Sequence, residues 1–108
     1  MQPSFGSYDE GYGADLLCPQ CGSHNLHHEK VEVFECGEDA KHGVHIIVAE
    51  GKAEMDTSLT GNPSRRRHGL NIHFWCENCS AKSILSISQH KGSTLVDLNN
   101  VVAANAEA

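Results

Sequence analysis

Four of the five cysteines in this chain stand in two Cys-x-x-Cys pairs, Cys18/Cys21 and Cys76/Cys79. Tetrahedral zinc takes four soft, deprotonated donors, and a Cys-x-x-Cys turn sets two of them on one side of an ion. Two such turns complete the shell, so the spacing predicts one structural zinc held by Cys18, Cys21, Cys76 and Cys79. A closed sphere of four thiolates leaves no position for the water that metal hydrolysis uses, which argues against a catalytic metal. The constraint on folding is severe: 54 residues, 22–75, separate the two pairs, and any fold must bring both turns to one point. Three alternatives stay open at this level. Iron also accepts sulfur tetrahedra, one of His24, His27 and His28 is a candidate substitute ligand, and Cys36 is a spare thiol that would join a less regular set.

The cysteine usage bears on the compartment. Met1 to Gly13 lacks a cationic region followed by an apolar stretch, and no run approaches the roughly 20 apolar residues of a membrane helix. Two Cys-x-x-Cys pairs with an odd fifth cysteine favour metal binding in a reducing compartment over a disulfide framework. The expectation is a soluble, cytoplasmic protein with no membrane association. Its formal net charge is −6, or about −8 once four thiolates and a dication are counted. General attraction to a phosphate backbone needs a basic face, so nonspecific nucleic-acid binding by the whole surface is disfavoured.

With 108 residues and 6% aromatics, one domain with a thin core is expected, and a metal staple matters for such a core. Apolar residues recur with period two: Val31 and Val33; Val44, Ile46 and Val48; Leu70, Ile72 and Phe74; Leu85 and Ile87. Thr94 to Leu98 adds a further short run, and five antiparallel strands follow. His90-Lys91-Gly92-Ser93 reads as a hairpin turn between the last two. Residues 49–69 show no sustained period and contain Gly51, Gly61, Asn62 and Pro63, which predicts a long loop. Residues 1–15 read as a disordered tail, 16–98 as the β domain, and 99–108 as a frayed end.

The first turn reads Cys18-Pro19-Gln20-Cys21-Gly22, and the second follows directly on the Leu70 to Trp75 strand. In these features the chain resembles the zinc-ribbon superfamily, in which CPxCG and a later CxxC on two hairpins grip one structural zinc. The resemblance covers roughly Leu16 to Leu98. It implies a mainly β fold, a small antiparallel zinc ribbon of about five short strands with a long inserted loop and flexible termini. The 54-residue separation departs from the roughly 15 to 20 residues of a compact zinc module. The run from Gly61 to Leu70 leading into Phe74-Trp75-Cys76 is also similar to small uncharacterised bacterial zinc-ribbon proteins, a similarity that implies no activity.

Arg65-Arg66-Arg67-His68 is the one dense cationic run, placed to clamp phosphates or carboxylates. Trp75 either stacks on a base or shields the second turn. No Gly-rich phosphate loop, nucleophile elbow, HExxH or paired catalytic carboxylates appear, and no enzyme activity is expected. The functional expectation is a noncatalytic zinc-binding module that contacts a protein or nucleic acid through the 49–69 loop, with Arg65, Arg66, Arg67 and Trp75 as partner-binding candidates. Exposed strand edges allow a homodimer. The alternative is a thiol-based redox or metal-responsive protein using Cys36 and labile turns.

Overall fold

In the computed structural model, which describes residues 1–101, the chain is all β with no helix among those residues. Among the described residues no helix is long and apolar enough to cross a membrane. Eight strands run in chain order: β1 (Phe5–Asp9), β2 (Gly13–Leu16), β3 (Leu26–Glu35), β4 (Val44–Ala49), β5 (Lys52–Asp56), β6 (Gly69–Cys76), β7 (Lys82–His90) and β8 (Ser93–Asn100). β1 and β2 form a separate hairpin, and the other six make one antiparallel sheet in the order β5-β4-β3-β6-β7-β8.

The five strands expected from alternation are β3, β4, β6, β7 and β8. The expected count is corrected by three. β1 and β2 lie in the stretch read as a disordered tail, and β5 lies inside the 49–69 segment read as a loop. All five β5 residues are exposed, so alternation carried no burial signal there. Its cause is the turn before it: Glu50 and Gly51 both adopt positive φ, 53° and 76°, the two-residue geometry that matches strand twist. Lys91 and Gly92 do the same, at 49° and 84°, in the expected β7–β8 hairpin. Of the expected frayed end, 99–108, Asn99 and Asn100 form the end of β8, and residues 102–108 lie outside the described residues.

Strand pairing sorts the side chains onto two faces. On one face Phe34 is in register with Gly69 on β6 and His45 on β4, and Asn71, opposite Glu32, lies two residues along β6 on the same face. Residues 57–68 fold back over them. Asn71 Nδ2 donates to the Gly61 carbonyl at 3.0 Å, and Ser64 Oγ donates to the Gln89 carbonyl at 2.9 Å. Gly69 is required beneath this strap, since a Cβ there would overlap Asn62 Oδ1 and the Pro63 ring. Phe34, 1% exposed, is the centre of the core and stacks on the His45 ring at 4.4 Å. The middle of the second face is apolar, with Glu35 at one margin and Ser83 and Asn100 at the other, and every substantial strand contact is with a neighbour in the same sheet. The six strands are therefore a single layer among the described residues.

Candidate metal centre

Two turns of matching construction stand at one end of the sheet. In the first, the Cys18 amide donates to the Ser23 carbonyl at 2.8 Å and the Gly22 amide to the Cys18 carbonyl at 2.9 Å. In the second, Cys76 and Ala81 pair at 3.0 Å and Ser80 and Cys76 at 2.9 Å, with the same offsets along the chain. Gly22 and Ser80, at equivalent positions, both take positive φ, 81° and 63°. The fold closes the 54-residue separation through β3 and β6, because Leu26 pairs with Cys76 at the end of that ladder. The Glu77 amide donates to the Asn25 carbonyl at 3.0 Å, and Asn25 Nδ2 donates to Asn78 Oδ1 at 3.1 Å, so the turns are locked to each other.

The consequence is a cluster of four sulfurs, from Cys18, Cys21, Cys76 and Cys79, all within 4.8 Å of one another. Cys18 and Cys79 are 3.7 Å apart, and Cys21 and Cys76 are 3.6 Å apart. A tetrahedron with metal–sulfur bonds of about 2.3 Å has edges of about 3.8 Å, so the donors fit one zinc-sized ion. The four cysteines are thus able to hold one metal ion such as zinc. The first cysteine of each turn is buried and the second exposed.

The electrostatics agree with a site that wants a cation. Amides of Cys79 and Asn78 donate to Cys76 and, against burial, bring its thiol down to about 6. At Cys79 the Ala81 amide favours the thiolate, but burial and the crowding thiols of Cys21, Cys76 and Cys18 outweigh it and push the value up to about 12. Cys21 is raised too, the Ser23 amide being overcome by burial and Cys76. Four anions at this spacing repel, and a dication between them removes the repulsion.

None of the alternative donors joins the cluster. His27 stacks on Trp75 at 4.8 Å and places Nε2 2.7 Å from Glu77 Oε1, while His24 lies 3.9 Å from Asp15. Cys36 sits past the other end of β3, about 30 Å from the turns at 3.3 Å per residue. There it is buried, its thiol donates to the Arg67 carbonyl at 3.2 Å, and its amide donates to His68 Nδ1 at 3.1 Å.

The partner-binding candidates are not brought together. Arg65, Arg66 and Arg67 precede β6, whereas Trp75 is near its end beside the metal turns. Arg66 forks onto Asp39 at 2.8 and 2.9 Å and reaches Glu38 at 2.9 Å; Arg67 reaches Glu38 at 2.8 Å. These pairs fasten the strap to the β3–β4 connection. Arg65 alone of the three has no ion pair among the described residues.

One group of residues escaped the sequence reading. Glu32 accepts from His45 Nε2 at 3.1 Å with one carboxylate oxygen and from His73 Nε2 at 2.9 Å with the other, and His45 Nδ1 is 3.0 Å from Asp56. Burial alone would lower the His45 pKa, yet Asp56 and Glu32 outweigh it and hold it above its usual value. Glu32, which burial would raise, is lowered by His73 and His45. The Ser58 amide and then His45 lower Asp56. The strand alternation placed His45 and His73 in strands, but only the register across β3, β4, β5 and β6 unites them. Set against models of protein families, curated proteins and solved structures, the chain matches none.

Proposed function

We propose that this chain is a noncatalytic zinc-binding module of the zinc-ribbon type, in which a structural ion holds a one-layer sheet in shape for contact with a partner. The supporting observation is the four-sulfur cluster, whose donors fill a tetrahedral shell by themselves. The metal has a mechanical task, because few side chains besides Phe34, Leu98, Cys76 and Ser83 are fully buried, and such a core supplies little stability unaided. Reduced cysteines at this site fit a reducing compartment such as the cytoplasm.

Contact runs through the strap, where Arg65 is exposed. Glu38 and Asp39 neutralise its two neighbours, which favours a protein partner over the phosphate backbone of a nucleic acid. Metal analysis of purified protein should return one zinc per chain, and strong chelation should abolish the β-sheet circular dichroism. A well-folded chain without metal would sink the proposal. Capture from cell extract with wild type and with Arg65→Ala tests the contact: an unchanged set of retained proteins would remove the arginine from it. The redox alternative finds less support, since Cys36 is buried, engaged with a carbonyl and remote from the metal turns.

A further inference from the structure

The face of the six-stranded sheet opposite the strap carries an unbroken apolar row across all six strands. Met55, Ile46, Val33, Leu70, Ile87 and Val96 are successive register partners from β5 to β8. A second row, two residues further along, runs from Ala53 to Leu85 and is equally apolar; its β8 member, Leu98, is already buried beside Met1, so the open face ends at β7 in that row. Neither row holds a charge. No strand packs across them among the described residues, and Met55 is 73% exposed, Val48 46%, Val96 48% and Val33 38%. A β-sheet face of this kind is stable only when a second layer covers it.

Area and charge together identify the cover. With strands about 4.8 Å apart and alternate residues about 6.7 Å apart, the open positions of the two rows tile roughly 350 Å² of flat sheet. That is as large as the greatest apolar patch on most monomers. Without the buried Leu98, two such faces closed on each other bury roughly 700 Å² of flat area; interdigitating side chains and the flanking Val44 and Phe74 add to this, giving a small interface below about 1,200 Å². The chain carries a net charge of −6, so two copies repel wherever charged surfaces meet. These rows are the neutral exception, and they hold no acid to attract a basic partner. We infer that the chain forms a twofold homodimer by packing this apolar face onto the same face of a second copy, giving a two-sheet sandwich. Sheets packed this way lie about 10 Å apart with their strands about 30° out of line, and an identical, self-complementary patch suits a twofold axis. Val33, on one of the two central strands, lies close to that axis.

Sedimentation equilibrium of the zinc-loaded full chain tests this. Over a dilution series from about 500 to about 1 µM, a range suited to a small interface, the mass should fall from twice 11.7 kDa towards 11.7 kDa. Val33→Glu buries like charges near the axis and should weaken the dimer by more than about a hundredfold. Val33→Lys should do the same, and an equimolar mixture of the two variants should associate at least about tenfold more tightly than either alone. Retained zinc and β-sheet dichroism show that each variant is folded. Should Val33→Glu not fold, Val96→Asp, at an exposed position of the same row, takes its place with the same expected dissociation. A wild-type chain that is monomeric throughout, or a folded variant that dimerises as tightly as wild type, overturns the inference.

Discussion

The two ends of β6 are fastened by different chemistry. At the Cys76 end, four sulfurs from two turns converge within 4.8 Å, and backbone hydrogen bonds link the turns directly. At the Gly69 end the strap is held by Arg66 and Arg67 on Glu38 and Asp39, by Asn62 and Ser64 side chains, and by contact over Phe34. The ion pairs are about half exposed, where such pairs contribute little. A fold with so small a core would therefore depend on an ion at the Cys76 end, whereas the far end is held chiefly by packing.

The largest effect should come from the metal end. Cys76→Ser removes a buried donor and should cost more than about 4 kcal/mol, seen as loss of bound zinc and a collapse of the thermal transition. If the variant melts like wild type, the contrast between the ends is wrong. At the far end Phe34→Ala should cost about 3–5 kcal/mol by leaving a cavity under the strap, with zinc content unchanged; chemical denaturation measures it.

The network between the ends should respond to pH. His45 is raised above its usual 6.5, so its contribution is complete below that value and fades as pH rises through the folded-state pKa. Glu32 and Asp56 are lowered from 4.5 and 3.8, and their contribution is complete above those values and fades on acidification. All three act together between about 4.5 and 6.5. Acid also protonates the thiolates, so the alkaline limb is diagnostic. Melting temperature should decline from pH 6.5 to 8.5 in wild type and be flatter in His45→Gln. An equal slope in both would remove His45 as the cause.

Smaller effects are expected from the exposed pairs. Arg66→Ala should cost about 1 kcal/mol or less, and a loss comparable to that of Phe34→Ala would mean that charge, not packing, holds the strap. Smallest of all, Cys36→Ser should leave the zinc content unchanged, as metal analysis would report.

The metal cluster was legible because each Cys-x-x-Cys pair is a local signal that carries its own geometry. Strands β3, β4, β6, β7 and β8 were legible through alternation, since each has apolar residues on one face. β5 was hidden because Lys52, Glu54 and Asp56 alternate with small or exposed neighbours on a sheet edge, leaving the Glu50-Gly51 turn as its one mark. β1 and β2 form by backbone pairing with little burial, and residue type reports that weakly. The Glu32 network and the pairing of Arg66 with Asp39 depend on register and on where a strap lands, which no single segment encodes.

The unequal burial of the sulfurs gives the site a front and a back. Cys18 and Cys76 line the protein side, while Cys21 and Cys79 face outward. An ion held there would be open to a competing chelator only from the outer pair's side, and those two sulfurs would be the first donors it could displace. Cys18 and Cys76, the buried pair, would be the donors hardest for it to reach.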